Sequence, residues 1–321
     1  MTATQTPHPV APNAPTTADE RRVPRRRTAA RQEARTGLLW LQAWLVGFAL
    51  FTAFPLGFSL YLAFTDWNGR GTPGFVGLQN FITLFTADPL FWQSLEVTGV
   101  FALIYLPLSL LLGFSMAMLM NQKLRGVTVF RTIYYLPSVL SGVAVAVLWQ
   151  FVFNTDYGLV NWLLSLFGLG PVNWLQDSAW VIPAIVIMQL WGVGSSVIVY
   201  LGGLQGIPSE LYEVARVDGA GFWSTLRTVT LPMMSPVIFF QLVLGIIATV
   251  QIFTQAYIMT GGGPNYGSYF YSLNIYNQAF TNLRLGYSSA MSWVLFVIIL
   301  LITLLVFRTA RLWVYQPNER K

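Results

Sequence analysis

The side chains able to recognise a ligand sit in two apolar stretches and are uncharged. One stretch carries Gln189, Trp191, Gly192 and Ser195; the other carries Gly245, Thr249, Gln251 and Ile252. At helical spacing Trp191, Gly192 and Ser195 fall close to one stripe, so an aromatic face and a hydroxyl share a side. The chemistry open to such a set is hydrogen bonding and stacking. Covalent chemistry has little to work with. The chain has no cysteine, and its one histidine, His8, lies near the N-terminus. That leaves no thiol nucleophile, no thiolate metal site and no histidine cluster, so the reading is no catalytic residue, no metal and no cofactor. No GxxxxGK[ST] phosphate loop occurs, so ATP binding in the P-loop manner is not expected.

The elements that must position these residues are membrane spans. Of 321 residues, 55% are hydrophobic and 9% charged, against about 25% charged in a soluble domain. Residues 1–36 form a basic tail with seven arginines, rich in Pro, Ala and Thr and expected to be disordered. The uncharged run Thr36–Thr65 exceeds the roughly 7 to 15 apolar residues of a secretory signal, so it reads as an anchored first span. Further charge-free runs cover Val97–Gln122, Thr132–Thr155, Ser178–Ser209, Thr228–Leu283 and Leu285–Phe307. A span needs about 20 apolar residues. Within the longest run, Gly261-Gly262-Gly263-Pro264 breaks the pattern, and only the part before it is apolar enough to cross. Six spans are predicted near 38–64, 97–120, 132–154, 180–202, 237–259 and 286–307, in a membrane domain over 37–310 with a tail at 311–321. No Asp, Glu, Lys, Arg or His lies inside any of these spans, which argues against a proton- or ion-coupled carrier. Pro55, Pro107, Pro137 and Pro183 stand where they either kink a span or begin a helix.

Lys and Arg placement gives the orientation. With both termini in the cytoplasm, sixteen of the eighteen basic residues fall inside, leaving Arg70 and Arg284 outside. The net charge of +6 is then a topology signal and not a nucleic-acid footprint. Trp67, Trp92, Trp162 and Trp174 are expected near the outer boundary, and Trp40 and Trp313 near the inner one, mostly as interfacial belt residues.

The segment 203–236 is the polar exception in the second half. It holds Glu210, Glu213, Arg216, Asp218 and Arg227, whereas Thr228–Leu283 carries no charge. A helix is predicted to begin after Pro208-Ser209, with Glu210 and Glu213 in its first turn, where carboxylates suit the helix dipole. Leu211, Val214 and Ala215 give it an apolar face, and Gly219 is placed for a left-handed cap. A second short helix over Phe222–Val229 is expected to end at Leu231-Pro232. Two short helices at a sharp bend suit the groove of a partner.

Here the chain resembles a known family. Glu213-Val214-Ala215, Asp218-Gly219-Ala220, Leu231-Pro232 and Pro236, led in by Gly203-Leu204-Gln205-Gly206-Ile207-Pro208, are similar to the EAA loop of ABC importer permeases, nearest the maltose-type sugar branch. Gly77-Leu78-Gln79-Asn80-Phe81, Tyr157-Gly158-Leu159-Val160-Asn161 and Gly262-Gly263-Pro264 resemble outer segments of the same branch. The likeness extends over residues 38–310. Val214 departs from the family's usual alanine and adds bulk without charge.

The resemblance implies an all-α polytopic permease with six transmembrane helices and the type I importer (MetI-like) fold, in a prokaryotic cell membrane. It implies ATPase coupling through Glu213, Ala215, Asp218, Gly219, Ala220, Leu231 and Pro232. It places Gly192 on a glycine of the family's sugar site, Ser195 on the same lining face, and Gly245, Thr249, Gln251 and Ile252 in a solute-lining stretch where Thr249 replaces an amide. The implied partners are a pair of ABC ATPase subunits, a second homologous permease forming a heterodimer, and an extracytoplasmic solute-binding protein. The implied solute is a sugar or oligosaccharide, suited to aromatic faces and neutral hydrogen-bonding groups. Two other readings stay open: the same machine importing glycerol 3-phosphate or a polyol, and an ion-coupled carrier or a membrane scaffold.

Overall fold

The protein is described by a computed structural model over residues 36–37, 40–122 and 126–315. The expected basic tail, residue 36 excepted, lies outside the described residues, as do Lys123, Arg125, Arg320 and Lys321. Every regular element described is a helix; a single antiparallel bridge joins Thr65 to Phe75. The chain divides into two compact units, Met1–Gly57 and Phe58–Lys321. Helix α1 is Trp40–Leu62. In the second unit follow α2 (Gln79–Thr86), α3 (Pro89–Met120), α4 (Val127–Val139), α5 (Gly142–Val152), α6 (Leu159–Leu166), α7 (Val181–Trp191), α8 (Gly194–Gln205) and α9 (Ser209–Val217). The chain continues through α10 (Phe222–Thr225), α11 (Leu231–Val250), α12 (Thr254–Met259), α13 (Tyr271–Tyr276) and α14 (Leu285–Ala310).

Four helices are long and apolar enough to cross a membrane, or six spans if each of two bent pairs counts as one. The bends are the main departure from straight spans. The run expected to cross at 132–154 breaks at Leu140, whose extended backbone sets α4 and α5 at 101°. The run at 180–202 bends by 50° where Gly192 and Val193 leave the helix between α7 and α8. Helix α3 begins at Pro89, ahead of the expected Val97, and takes Glu96 into its second turn. Its 32 residues reach about 48 Å at 1.5 Å per residue, well beyond a hydrocarbon core of about 30 Å. The start is fixed chemically. Asp88 Oδ1 accepts from the backbone N–H of Leu90 (2.9 Å) and Phe91 (3.3 Å), and Pro89 fills the first turn where an N–H is not needed. Asp88 Oδ2 accepts from the Tyr287 hydroxyl at 2.5 Å, and the Arg284 guanidinium lies 4.3 Å from the Tyr287 ring centre, so one carboxylate ties the starts of α3 and α14.

Prolines that should stop helices do not. Turns of π-helix at Ala49–Ala53 and Leu226–Thr230 lie directly before Phe54-Pro55 and Leu231-Pro232. In each the residue before proline donates its N–H five residues back, Phe54 to Ala49 and Leu231 to Leu226. The wider turn makes room for the ring and shifts the carbonyl that the missing N–H would have served. The short helix expected to end at Leu231-Pro232 therefore continues, through the π-turn and α11, as far as Val250.

Three apolar clusters hold the second unit together. The first joins Val97 and Phe101 of α3 to α7, Ile252, Ala256, Phe270 and Leu273. A second joins Ala117 and Met120 at the far end of α3 to Val197, Leu201 and Leu204 of α8 and Met234 of α11. The third packs Phe91 against Tyr271, Tyr287 and Met291. Several buried polar groups are paired within the bundle, as an apolar surrounding favours. Asn80 Nδ2 donates to the carbonyls of Ala63 and Thr65, and the Tyr271 hydroxyl donates to that of Met291. Asn161 bridges its loop, donating to Thr155 and Val172 and accepting from Trp174 Nε1. Trp174 is buried, so it belongs to the core and not to an interfacial belt.

Candidate functional site

Two places bring the predicted residues together: a helical elbow at α9–α10, and a cavity between α3, α8 and α11. Helix α9 ends by the motif its sequence announced. Gly219 has φ +73°, its N–H bonds to the Arg216 carbonyl, and the Ala220 N–H reaches back to Ala215. That double closure is a Schellman cap, which needs a residue at ease in the left-handed region. Ala215 is buried, and Ala220 half-buried. Beside Ala215, the Tyr212 hydroxyl lies 3.3 Å from Thr230 Oγ1 and fastens α9 to the π-turn. The expected apolar face is split: Ala215 turns inward, while Leu211 and Val214 turn outward. Glu210 alone stands in the first turn, with Glu213 one turn later. Glu213, Asp218, Val217, Phe222, Trp223 and Leu231 are exposed, Val217 to 87%, and Pro232 is half-buried. The elbow thus presents an apolar patch edged by two carboxylates. Tyr212 was missed, although it stands three residues before Ala215 and so on the same helical face.

The cavity has a volume of about 390 Å³. Of the eight residues predicted for a solute path, Gly192, Ser195, Gly245 and Thr249 line it together. The other four lie elsewhere. Gln189 accepts from Gln255 Nε2 at 3.3 Å, which joins α7 to α12. Trp191 packs edge-on against Trp149, ring centres 5.9 Å apart. Gln251 is exposed, and Ile252 is 4% exposed inside the first apolar cluster. Thr249 spends its proton on the Gly245 carbonyl at 2.6 Å, leaving only lone pairs for a ligand. The wall also holds Tyr105, Ser109, Ser196, Tyr200 and Gln241, which sequence reasoning missed. Helix α3 carries no motif to mark Tyr105 and Ser109. Gln241 had a signal: it is an amide in the apolar run of α11, eight residues from Thr249. No charged side chain lines the cavity. Among the described residues no group of His, Cys, Asp or Glu is disposed to hold a metal.

A helical membrane bundle with a neutral polar cavity and an exposed elbow has the parts of a permease. Residues 109–314 match the family described as binding-protein-dependent transport system inner membrane component, and the chain belongs to that family. It is the non-catalytic membrane subunit of an ATP-binding-cassette importer, with ATP hydrolysis on a separate subunit. A probable ABC transporter permease of Bacillus subtilis is 38% identical over 91% of this chain and 95% of its own length. The trehalose/maltose transport system permease of Thermococcus litoralis is 34% identical over 87% of this chain and 95% of its own. A solved bacterial alginate ABC transporter, in complex with an alginate pentasaccharide-bound periplasmic protein, superposes with a TM-score of 0.78 at 26% identity. The match covers 88% of this chain and 96% of that one.

Proposed function

We propose that this permease carries a neutral sugar or short oligosaccharide through the cavity between α3, α8 and α11. The observation that supports this reading is the wall itself: hydroxyls, one amide and aromatic rings, with no lysine or arginine. Sugars present apolar C–H faces and hydroxyls that both donate and accept, and such a wall complements both. A phosphorylated polyol or an acidic saccharide such as alginate would favour cationic groups along the wall. The neutral lining favours the trehalose/maltose class of solute instead.

In the same reading the elbow end faces the cytoplasm, following the basic-residue asymmetry. The patch of Val214, Val217, Phe222 and Trp223 docks into a cleft of an ATPase subunit, with Glu213 and Asp218 at its rim. A second permease completes the path, and a solute-binding protein delivers the sugar at the opposite end. The test is reconstitution of this chain with its partner permease, ATPase and binding protein in liposomes. ATP-dependent accumulation of radiolabelled maltose or trehalose is expected. Accumulation of glycerol 3-phosphate but of neither disaccharide would replace the neutral-sugar reading, and uptake without nucleotide would replace the importer.

A further inference from the structure

At the end of the cavity nearest the elbow the polar groups are out of balance. Along α8 the chain runs from Ser195 to Tyr200 toward the elbow, roughly 7.5 Å of helix; along α11, Gln241 lies roughly 12 Å nearer the elbow than Thr249. Tyr200 is 0% exposed, and its hydroxyl has no hydrogen-bond partner. The ring is firmly seated. It packs edge-on to Phe114 at 5.8 Å, and Gly113 leaves room for it, since a Cβ there would stand 3.2 Å from Tyr200 Cε2. Gln241, 8% exposed, also makes no side-chain hydrogen bond with the described residues, nor do Ser195 and Ser196. Contrast Thr98 and Ser109, whose hydroxyls are satisfied by carbonyls of their own helix. Phenylalanine would fill the site of Tyr200 equally well and leave no buried polar atom unmet. Tyr200 itself belongs to the second apolar cluster, which continues toward the elbow with Leu201 and Leu204 of α8 and Met234 of α11.

We propose that the Tyr200 hydroxyl and the Gln241 amide form a hydrogen-bonding station for a hydroxyl of the travelling solute at the elbow end of the cavity. Both groups donate and accept, which matches an alcohol and not an anion or a cation. The station rests on the reading of a neutral, hydroxyl-rich solute.

The experiment uses the full complex in proteoliposomes with saturating loaded binding protein, and follows maltose and trehalose. Tyr200→Phe is expected to lower uptake per transporter roughly fivefold, the loss of one hydrogen bond. Assembly and stimulation of ATP hydrolysis by the loaded binding protein stay unchanged, so fewer sugars enter per ATP. Should Tyr200→Phe fail to assemble, Gln241→Met, similar in shape without the amide, reads the same station and is expected to give the same drop. Wild-type uptake in the assembled variant, together with a higher melting temperature, would overturn the station and leave Tyr200 as a structural orphan. If the wild-type complex itself moves neither sugar, the neutral-solute reading fails and the station falls with it, a result distinct from a silent variant in an active complex.

Discussion

The elbow and the cavity break the burial rule of their surroundings in opposite directions. At the elbow, Val214, Val217, Phe222 and Trp223 lie exposed on the most charged part of the described chain. In the cavity, Tyr200, Gln241 and Thr249 are buried between apolar helices. An exposed apolar patch is covered by something outside the chain, and a buried hydroxyl without a partner is met by something that visits. The contrast separates the two jobs. In the function proposed above, the elbow answers to a partner that is the same whatever is carried, whereas the cavity answers to the cargo. Damage to the elbow should therefore scale every solute alike, and damage to the cavity should change the ratio between solutes.

The largest effect is expected at Gly219. Gly219→Asp sets a new charge beside the patch, so uptake of every sugar should fall by about tenfold, the order of pressing a polar group without a partner into an apolar contact. Membrane insertion, read by protease protection, should persist, and ATP hydrolysis should no longer respond to the loaded binding protein. Gly219→Asn, which tolerates the left-handed region, should keep most activity. A solute-selective loss at Gly219 would break the contrast. At the cavity, Thr249→Asn frees an amide where the present hydroxyl is tied to its own helix, and the maltose-to-trehalose uptake ratio should shift about two- to tenfold. An unchanged ratio with a lower overall rate would move Thr249 from recognition to packing. The smallest effect belongs to Trp191→Ala. Because its ring packs on Trp149 away from the cavity, uptake and complex yield should fall together, each roughly twofold, as for the loss of one aromatic pair. A larger fall in uptake than in yield would return Trp191 to the solute path.

What the sequence made legible follows from how local each signal is. The cap at Gly219 depends on a few neighbouring residues, and it appears as read. Span positions come from runs of uncharged residues, so their existence was plain while their shapes were not. The break at Leu140 had local marks, Pro137 three residues earlier and the unread Ser141-Gly142 pair directly after it. Half of the predicted solute residues line the cavity, because Gly192, Ser195, Gly245 and Thr249 sit on the helix faces that meet. Gln189 and Gln251 looked equally polar on paper, but the 50° bend after Trp191 and the end of α11 at Val250 turn them elsewhere. Tyr200 had no local mark at all. Its meaning comes from a hydroxyl left without a partner, a property of packing among three distant segments.

The wide turn before Pro232 has a mechanical consequence. Had the proline broken the helix, a push on the elbow would have dissipated in a loose joint. Instead Phe222, Gln241 and Thr249 ride on one continuous helical path, so in the proposed function torque from an ATPase at the elbow would swing the cavity wall at the other end.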